Sequence, residues 1–262
     1  MLFSISKNSK RLFLPFINFM KMKSLLDIIN KNNFFYISCL LLVVACILFL
    51  SIYTRADGFM FMNSFHTKGL TIFFQNITFF GDGLFTLIVA AIITFAFKKH
   101  RKLAVLLLIS FLISGIFSQI IKHLISSPRP SVYFQSHHYS FILDTFSNCR
   151  VGFSSFPSGH TASVFAMATI VTDYFRRKHI WAMSLLSAII IGYSRIYLAH
   201  HFLIDVLAGA FIGILSSILT ILWYNKNAFR FKKFTIKNPI VLNRQRATIF
   251  KNLNDQNANR SY

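Results

Sequence analysis

The stretch from Phe34 to Tyr53 contains no charged residue, no glycine and no proline. A helix crosses a hydrocarbon core of about 30 Å with about 20 apolar residues. Inside lipid every backbone N–H and C=O must find its partner within the segment, which a helix achieves alone. Leu103–Ile121 is likewise uncharged, and Phe202–Tyr224 holds one charge, Asp205. Three weaker runs are Gly83–Phe97, preceded by apolar Phe73–Phe80, then Gly159–Phe175, and Ile180–Leu198, which holds Arg195. Gly81-Asp82-Gly83 marks a joint, so residues 70–82 are either interfacial or part of the second span. The expected fold is therefore all-α: a polytopic membrane protein built as a six-helix bundle over residues 34–224. A basic arm precedes it (1–33), and a basic, Asn-rich tail with little fixed structure follows (225–262).

Charge placement sets orientation. The chain carries 28 Lys and Arg against 7 Asp and Glu, a formal net charge of +21. Such a balance can signal nucleic-acid binding. Here the cations flank the apolar runs, as at a membrane surface, so no nucleic-acid partner is expected. They gather in the arm (Lys21, Lys23, Lys31), in Lys98–Lys102, in Arg176–Lys178 and in the tail from Lys226. With six spans all four segments fall on one side, which the positive-inside rule makes cytoplasmic. Both termini are then cytoplasmic. The strongly positive inner face fits a bacterial inner membrane. Cys39, Cys46 and Cys149 form no CxxC pair, so neither a disulfide framework nor a zinc site is expected.

Polar groups next to apolar spans are expensive and call for a reason. Lys122 ends the third span, and Ser158-Gly159-His160 opens the fourth. Arg195 lies near the end of the fifth, while His201 and Asp205 open the sixth. All then sit at one membrane level, on the side opposite the basic loops. Lys122, Arg129 and Arg195 are cations suited to phosphate oxygens. The start of the fourth span adds free backbone N–H groups, and Gly159 would let that backbone approach an anion closely. His201 and Asp205, four apart, would share one helix face. The carboxylate would hold the imidazole in one tautomer, leaving its other nitrogen to attack phosphorus. His160 would serve as acid and then base. No carboxylate cluster suits Mg²⁺, so neither metal nor other cofactor is expected.

At these residues the chain resembles the type 2 phosphatidic acid phosphatase superfamily, which also includes vanadium haloperoxidases. Lys122 through Arg129-Pro130 matches the first motif part, Pro157-Ser158-Gly159-His160 the second, and Ser194-Arg195, His201 and Asp205 the third. The resemblance implies phosphate binding by Lys122, Arg129, Ser158, Gly159 and Arg195. It also implies His160 as acid–base, His201 as nucleophile through a phosphohistidine, and Asp205 as its partner. Membrane members of the family hydrolyse lipid phosphates or pyrophosphates. The implied partner is thus a lipid such as lipid A, undecaprenyl pyrophosphate, phosphatidylglycerol phosphate or phosphatidic acid. Phosphate transfer to another lipid is the runner-up. A haloperoxidase fits the apolar spans poorly, since those relatives are soluble, and the complete motif set argues against a binding or transport protein that has lost catalysis.

Residues near the motifs have plainer readings. Asp82 reads as a cap of the second span. His200 reads as an interfacial neighbour of the nucleophile, and His137 and His138 read as solvated loop residues.

Overall fold

A computed structural model describes residues 22–143, 145–146 and 149–237; the basic arm before Met22 and the chain beyond Lys237 lie outside these. The described residues are helical, with no strand among them. An isolated bridge pairs Ser127 with Ser154. In chain order the helices are α1 (Met22–Lys31), α2 (Asn33–Ile52), α3 (Arg55–Met62), α4 (Lys68–Ile77), α5 (Gly83–Ala96), α6 (Arg101–Leu124), α7 (Pro130–Ser136), α8 (Gly159–Phe175), α9 (Lys178–Tyr197) and α10 (Leu203–Lys237).

Among the described residues, four segments are long and apolar enough to cross a membrane: Asn33–Ile52, Lys98–Leu124, Lys178–Tyr197 and Leu203–Asn227. The joint expected at residues 81–83 is present. Residues 68–81 and 83–96 meet at a bend of 55°, and taken as one broken span they make a fifth. At 17 residues α8 is short, yet it is the most enclosed helix. It packs against α6 and α9. Along α2, by contrast, Leu40, Leu41, Val44, Ile47 and Leu48 are exposed, as a lipid-facing surface requires. The core joins Phe35 and Cys39 of α2 to Val164, Phe165 and Ala168 of α8, Leu185, Ala188 and Ile191 of α9, and Ala210 of α10.

Small residues bring α8 and α10 together. A Cβ on Gly209 would lie 2.4 Å from the Ser158 carbonyl oxygen, and one on Gly213 would lie 2.4 Å from that of Ala162. Ser217 Oγ donates to Ala166 O at 2.9 Å on the same seam. Overpacking a fitted core typically costs about 1–3 kcal/mol, and here the obstacle is backbone that cannot swing aside. Gly213→Leu is therefore expected to lower stability by about 3 kcal/mol or more. Thermal unfolding in detergent checks this, and an unchanged midpoint would contradict the packing.

Two contacts bind the ends of different helices. Asn32 Nδ2 donates to Asp173 Oδ1 at 3.3 Å, and His100 Nδ1 lies 2.9 Å from the Tyr174 hydroxyl. The basic segments around residues 31, 100 and 176 thus meet at one end of the bundle.

The last helix departs from the expected tail. It continues through residues 225–237 instead of ending at Tyr224. No glycine or proline interrupts the chain until Pro239, and apolar residues recur among the lysines, so nothing stops the helix. The expectation for 238–262 falls outside the described residues.

Candidate active site

The motif residues converge at the other end of the bundle from the basic segments. Lys122 lies in the last turn of α6 and Arg195 in the last turn of α9. Ser158 caps α8, its Oγ accepting from the Thr161 amide and hydroxyl at 3.4 and 2.8 Å. This fixes the direction in which the first amides of α8 open. A Cβ built on Gly159 meets nothing within 4 Å, so open space lies beside that turn.

His201 and Asp205 are together, but not on one helix face as expected. His201 stands in the turn before α10, its amide bonded to Arg195 O at 3.1 Å. Asp205 is in the first turn of α10 and reaches back, Oδ2 accepting from the Phe202 amide at 2.9 Å. That is the acidic half of a capping box, which closes the turn and sets the carboxylate beside the ring. His201 Nδ1 lies 3.6 Å from Asp205 Oδ2. Ser155 Oγ donates to the same oxygen at 2.5 Å and lies 3.5 Å from His201 Nδ1. Asp205 is wholly buried and His201 is 3% exposed. A buried carboxylate is tolerated only when hydrogen bonds compensate its lost hydration; Ser155 and Phe202 supply them to Oδ2, while the buried Oδ1 has no partner among the described residues. Burial pushes the His201 imidazole down to about 4, against the opposing pull of Asp205. The ring is therefore neutral at neutral pH, with Nδ1 turned to the carboxylate and Nε2 available.

The two arginines are held by protein groups. Arg129 Nη1 donates to His200 O at 2.9 Å and Nη2 to Ser154 O at 3.4 Å. Its amide bonds Gly152 O at 3.0 Å. Arg129 thus braces the turn that carries His201 against the 152–155 segment. Arg195 donates to Thr78 Oγ1 and contacts His200 Nδ1, and its buried Nε has no partner among the described residues. His200 is therefore no bare interfacial residue: it touches one arginine with its ring and the other with its carbonyl. Lys122 is half-buried and lies within electrostatic reach of Arg129, Arg195, Arg150 and Asp205.

Sequence reasoning undervalued three residues. Asp82 does cap α5, Oδ1 accepting from the Leu84 amide at 3.1 Å, but its Oδ2 also lies 4.0 Å from His160 Nε2. Gly81 makes this approach possible, because a Cβ there would lie 2.7 Å from Ile191 Cγ2 and 3.4 Å from His160 Cβ. Ser155 belongs to no motif part and is recognised only once Asp205 is placed. Arg150, exposed in the loop, acts electrostatically on Lys122, Arg129, Arg195 and His160.

Residues 103–229 match the family model described as the PAP2 superfamily. Among curated proteins, the undecaprenyl-diphosphatase of Sulfolobus acidocaldarius is 29% identical over 48% of this chain and 57% of its own length. The lipid A 4'-phosphatase of Porphyromonas gingivalis is 31% identical over 51% of this chain and 62% of its own. The chain thus spans less than two thirds of either relative. Among solved structures, Aquifex aeolicus LpxE superposes with a TM-score of 0.52 at 27% identity, over 64% of this chain and 95% of that one. A transmembrane PAP2-type phosphatidylglycerolphosphate phosphatase from Bacillus subtilis shares the fold, with a TM-score of 0.53 at 24% identity, over 72% of this chain and 96% of that one. The apolar helices and these neighbours make the chain an integral membrane protein. The segment that carries all three motif parts matches the PAP2 superfamily.

Proposed function

We propose that this protein hydrolyses the phosphate or pyrophosphate group of a membrane lipid through a phosphohistidine on His201. The observation that carries the reading is the buried Ser155–Asp205–His201 chain, which occupies Nδ1 and leaves a neutral Nε2 free. Nε2 attacks phosphorus, the N–P bond forms, and the bond from phosphorus to the lipid oxygen breaks. His160 gives its proton to the departing oxygen. Water then attacks phosphorus as His160 takes a proton back, the N–P bond breaks, and phosphate leaves. Lys122, Arg195, Arg129 and the first amides of α8 stabilise the charge that spreads over the equatorial oxygens. Open space beside Gly159 is consistent with an anion there.

The six-span reading treats the bent pair α4–α5 and the enclosed α8 as spans. It places the basic end in the cytoplasm and the site at the outer surface of a bacterial inner membrane. The contacts that gather residues 32, 100 and 173 at one end support it.

Asp82 would hold the His160 ring in position for proton transfer. The pair is 4.0 Å apart and Asp82 is half exposed, so solvent screens the interaction. Asp82→Asn is expected to lower kcat about threefold on a lipid substrate and to leave KM nearly unchanged. Steady-state kinetics in detergent checks this; a rise in KM alone would assign Asp82 to binding.

The overall reading is tested by phosphate release from lipid A, undecaprenyl pyrophosphate, phosphatidylglycerol phosphate and phosphatidic acid in the presence of EDTA. Release without an added acceptor supports hydrolysis. Release or transfer only when an acceptor lipid is present would favour the phosphotransferase.

A further inference from the structure

Arg55 belongs to none of the motif parts, yet it reaches the site from the first half of the chain. It opens α3, where Thr54 and Asp57 cap the helix by bonding each other. Thr54 Oγ1 donates to Asp57 Oδ2 at 2.6 Å and accepts from the Asp57 amide at 3.2 Å. The neighbouring carboxylate is thus engaged in the cap. The half-buried Arg55 side chain turns to residues distant in the chain. Its Nη2 donates to Ser127 Oγ at 3.1 Å and to Pro128 O at 3.3 Å. Its Cζ lies 3.9 Å from the centre of the Phe202 ring and 5.0 Å from that of Tyr133. A guanidinium is planar and weakly hydrated, so it can lie on an aromatic face while donating outward from its edge. A lysine ammonium offers the charge without that geometry.

These contacts lead to the two groups that hold Asp205. Ser127 is paired with the 153–155 segment: its amide donates to Phe153 O at 2.8 Å, and its carbonyl accepts from the Ser155 amide at 3.0 Å. Ser155 Oγ in turn donates to Asp205 Oδ2. Phe202 follows His201 in the chain and is 2% exposed, and its amide donates to the same Asp205 oxygen at 2.9 Å. Arg55 therefore grips the Ser155 side of the carboxylate through Ser127 and the His201 side through the Phe202 ring. Such bracing matters because a reacting group misplaced by about 1 Å can cost about a hundredfold in rate.

We infer that Arg55 is a positioning residue for the His201 imidazole: its guanidinium clamps the 127–128 segment to the Phe202 ring and so fixes the turn that sets His201 against Asp205. The inference rests on the reading of His201 as the nucleophile.

The test compares wild-type protein with Arg55→Lys, Arg55→Met and Ser127→Ala, all full-length in detergent, with p-nitrophenyl phosphate as substrate. Thermal unfolding midpoints set an assay temperature at which every variant is folded. Both Arg55 variants are expected to lose about tenfold in kcat with KM within about twofold of wild type. Ser127→Ala should lose about threefold, and the Arg55→Met/Ser127→Ala double variant should be no slower than Arg55→Met alone, because the two residues act through one contact. A raised KM with unchanged kcat would make Arg55 a substrate ligand. Full activity in Arg55→Lys would reduce its role to charge, and a lowered midpoint with unchanged kcat would reduce it to packing. Each of these overturns the inference. Calorimetry with inorganic vanadate and inorganic phosphate separates it from the phosphatase reading. Vanadium accepts a fifth ligand, as phosphorus does during attack, so vanadate should bind about fivefold or more weakly to both Arg55 variants, while phosphate binding stays within about twofold. That pattern upholds the positioning role even if wild-type protein releases no phosphate, in which case the phosphatase reading alone fails. Vanadate binding that is absent, or equal in wild type and variants, overturns the positioning role.

Discussion

His201→Ala is expected to lower phosphate release by at least about a thousandfold, the scale seen when a covalent nucleophile is removed. The residue is buried, and its side-chain contacts go to the groups of the site itself. It occupies a turn, touching Asp205 and Ser155, and its backbone amide bond to Arg195 survives truncation. Substrate binding should persist, because Lys122, Arg195 and the α8 amides are untouched. A variant that still binds lipid phosphate, keeps its unfolding midpoint and releases nothing fits the account. Residual activity within tenfold of wild type would remove His201 from the nucleophile's place.

His160→Ala separates the two half-reactions. Loss of a general acid or base typically costs about 10²–10⁴ in rate, and a lipid alkoxide is a leaving group that needs the proton. Release from a lipid phosphate should therefore fall by about that factor. With p-nitrophenyl phosphate the leaving group departs without help, so the first step is largely spared while water activation stays impaired. A burst of nitrophenol with slow turnover is the expected trace. Equal losses on both substrates, with no burst, would place His160 in binding.

What the sequence made legible follows from which physics is local. The long uncharged runs became α2, α6 and α10 because a backbone in lipid has few alternatives to a helix. The motif spacings identified Lys122, Arg129, Ser158–His160, Arg195, His201 and Asp205, and the fold brings these to one end of the bundle. What stayed hidden depends on partners distant in the chain. Asp82 reads as a helix cap because capping is visible within a few residues, whereas its approach to His160 depends on Gly81 fitting against Ile191 of α9. Ser155 looks like any loop serine until Asp205 arrives 50 positions later. Arg129 and Arg195 read as phosphate ligands by charge alone, yet their guanidinium groups already hold Ser154, His200 and Thr78. Helical spacing also misplaced His201, since a four-residue separation can be closed by a capping turn as well as by a helix face.

The phosphohistidine is the central claim, and trapping it tests the claim most directly. His160→Ala protein would be mixed with p-nitrophenyl phosphate, quenched within its burst under alkaline conditions that preserve phosphohistidine, digested and mapped by mass spectrometry. The account predicts one phosphate per burst equivalent, on the peptide containing His201, and none in the His160→Ala/His201→Ala double variant. A burst with no phosphorylated peptide, or with phosphate on any other side chain, would contradict it.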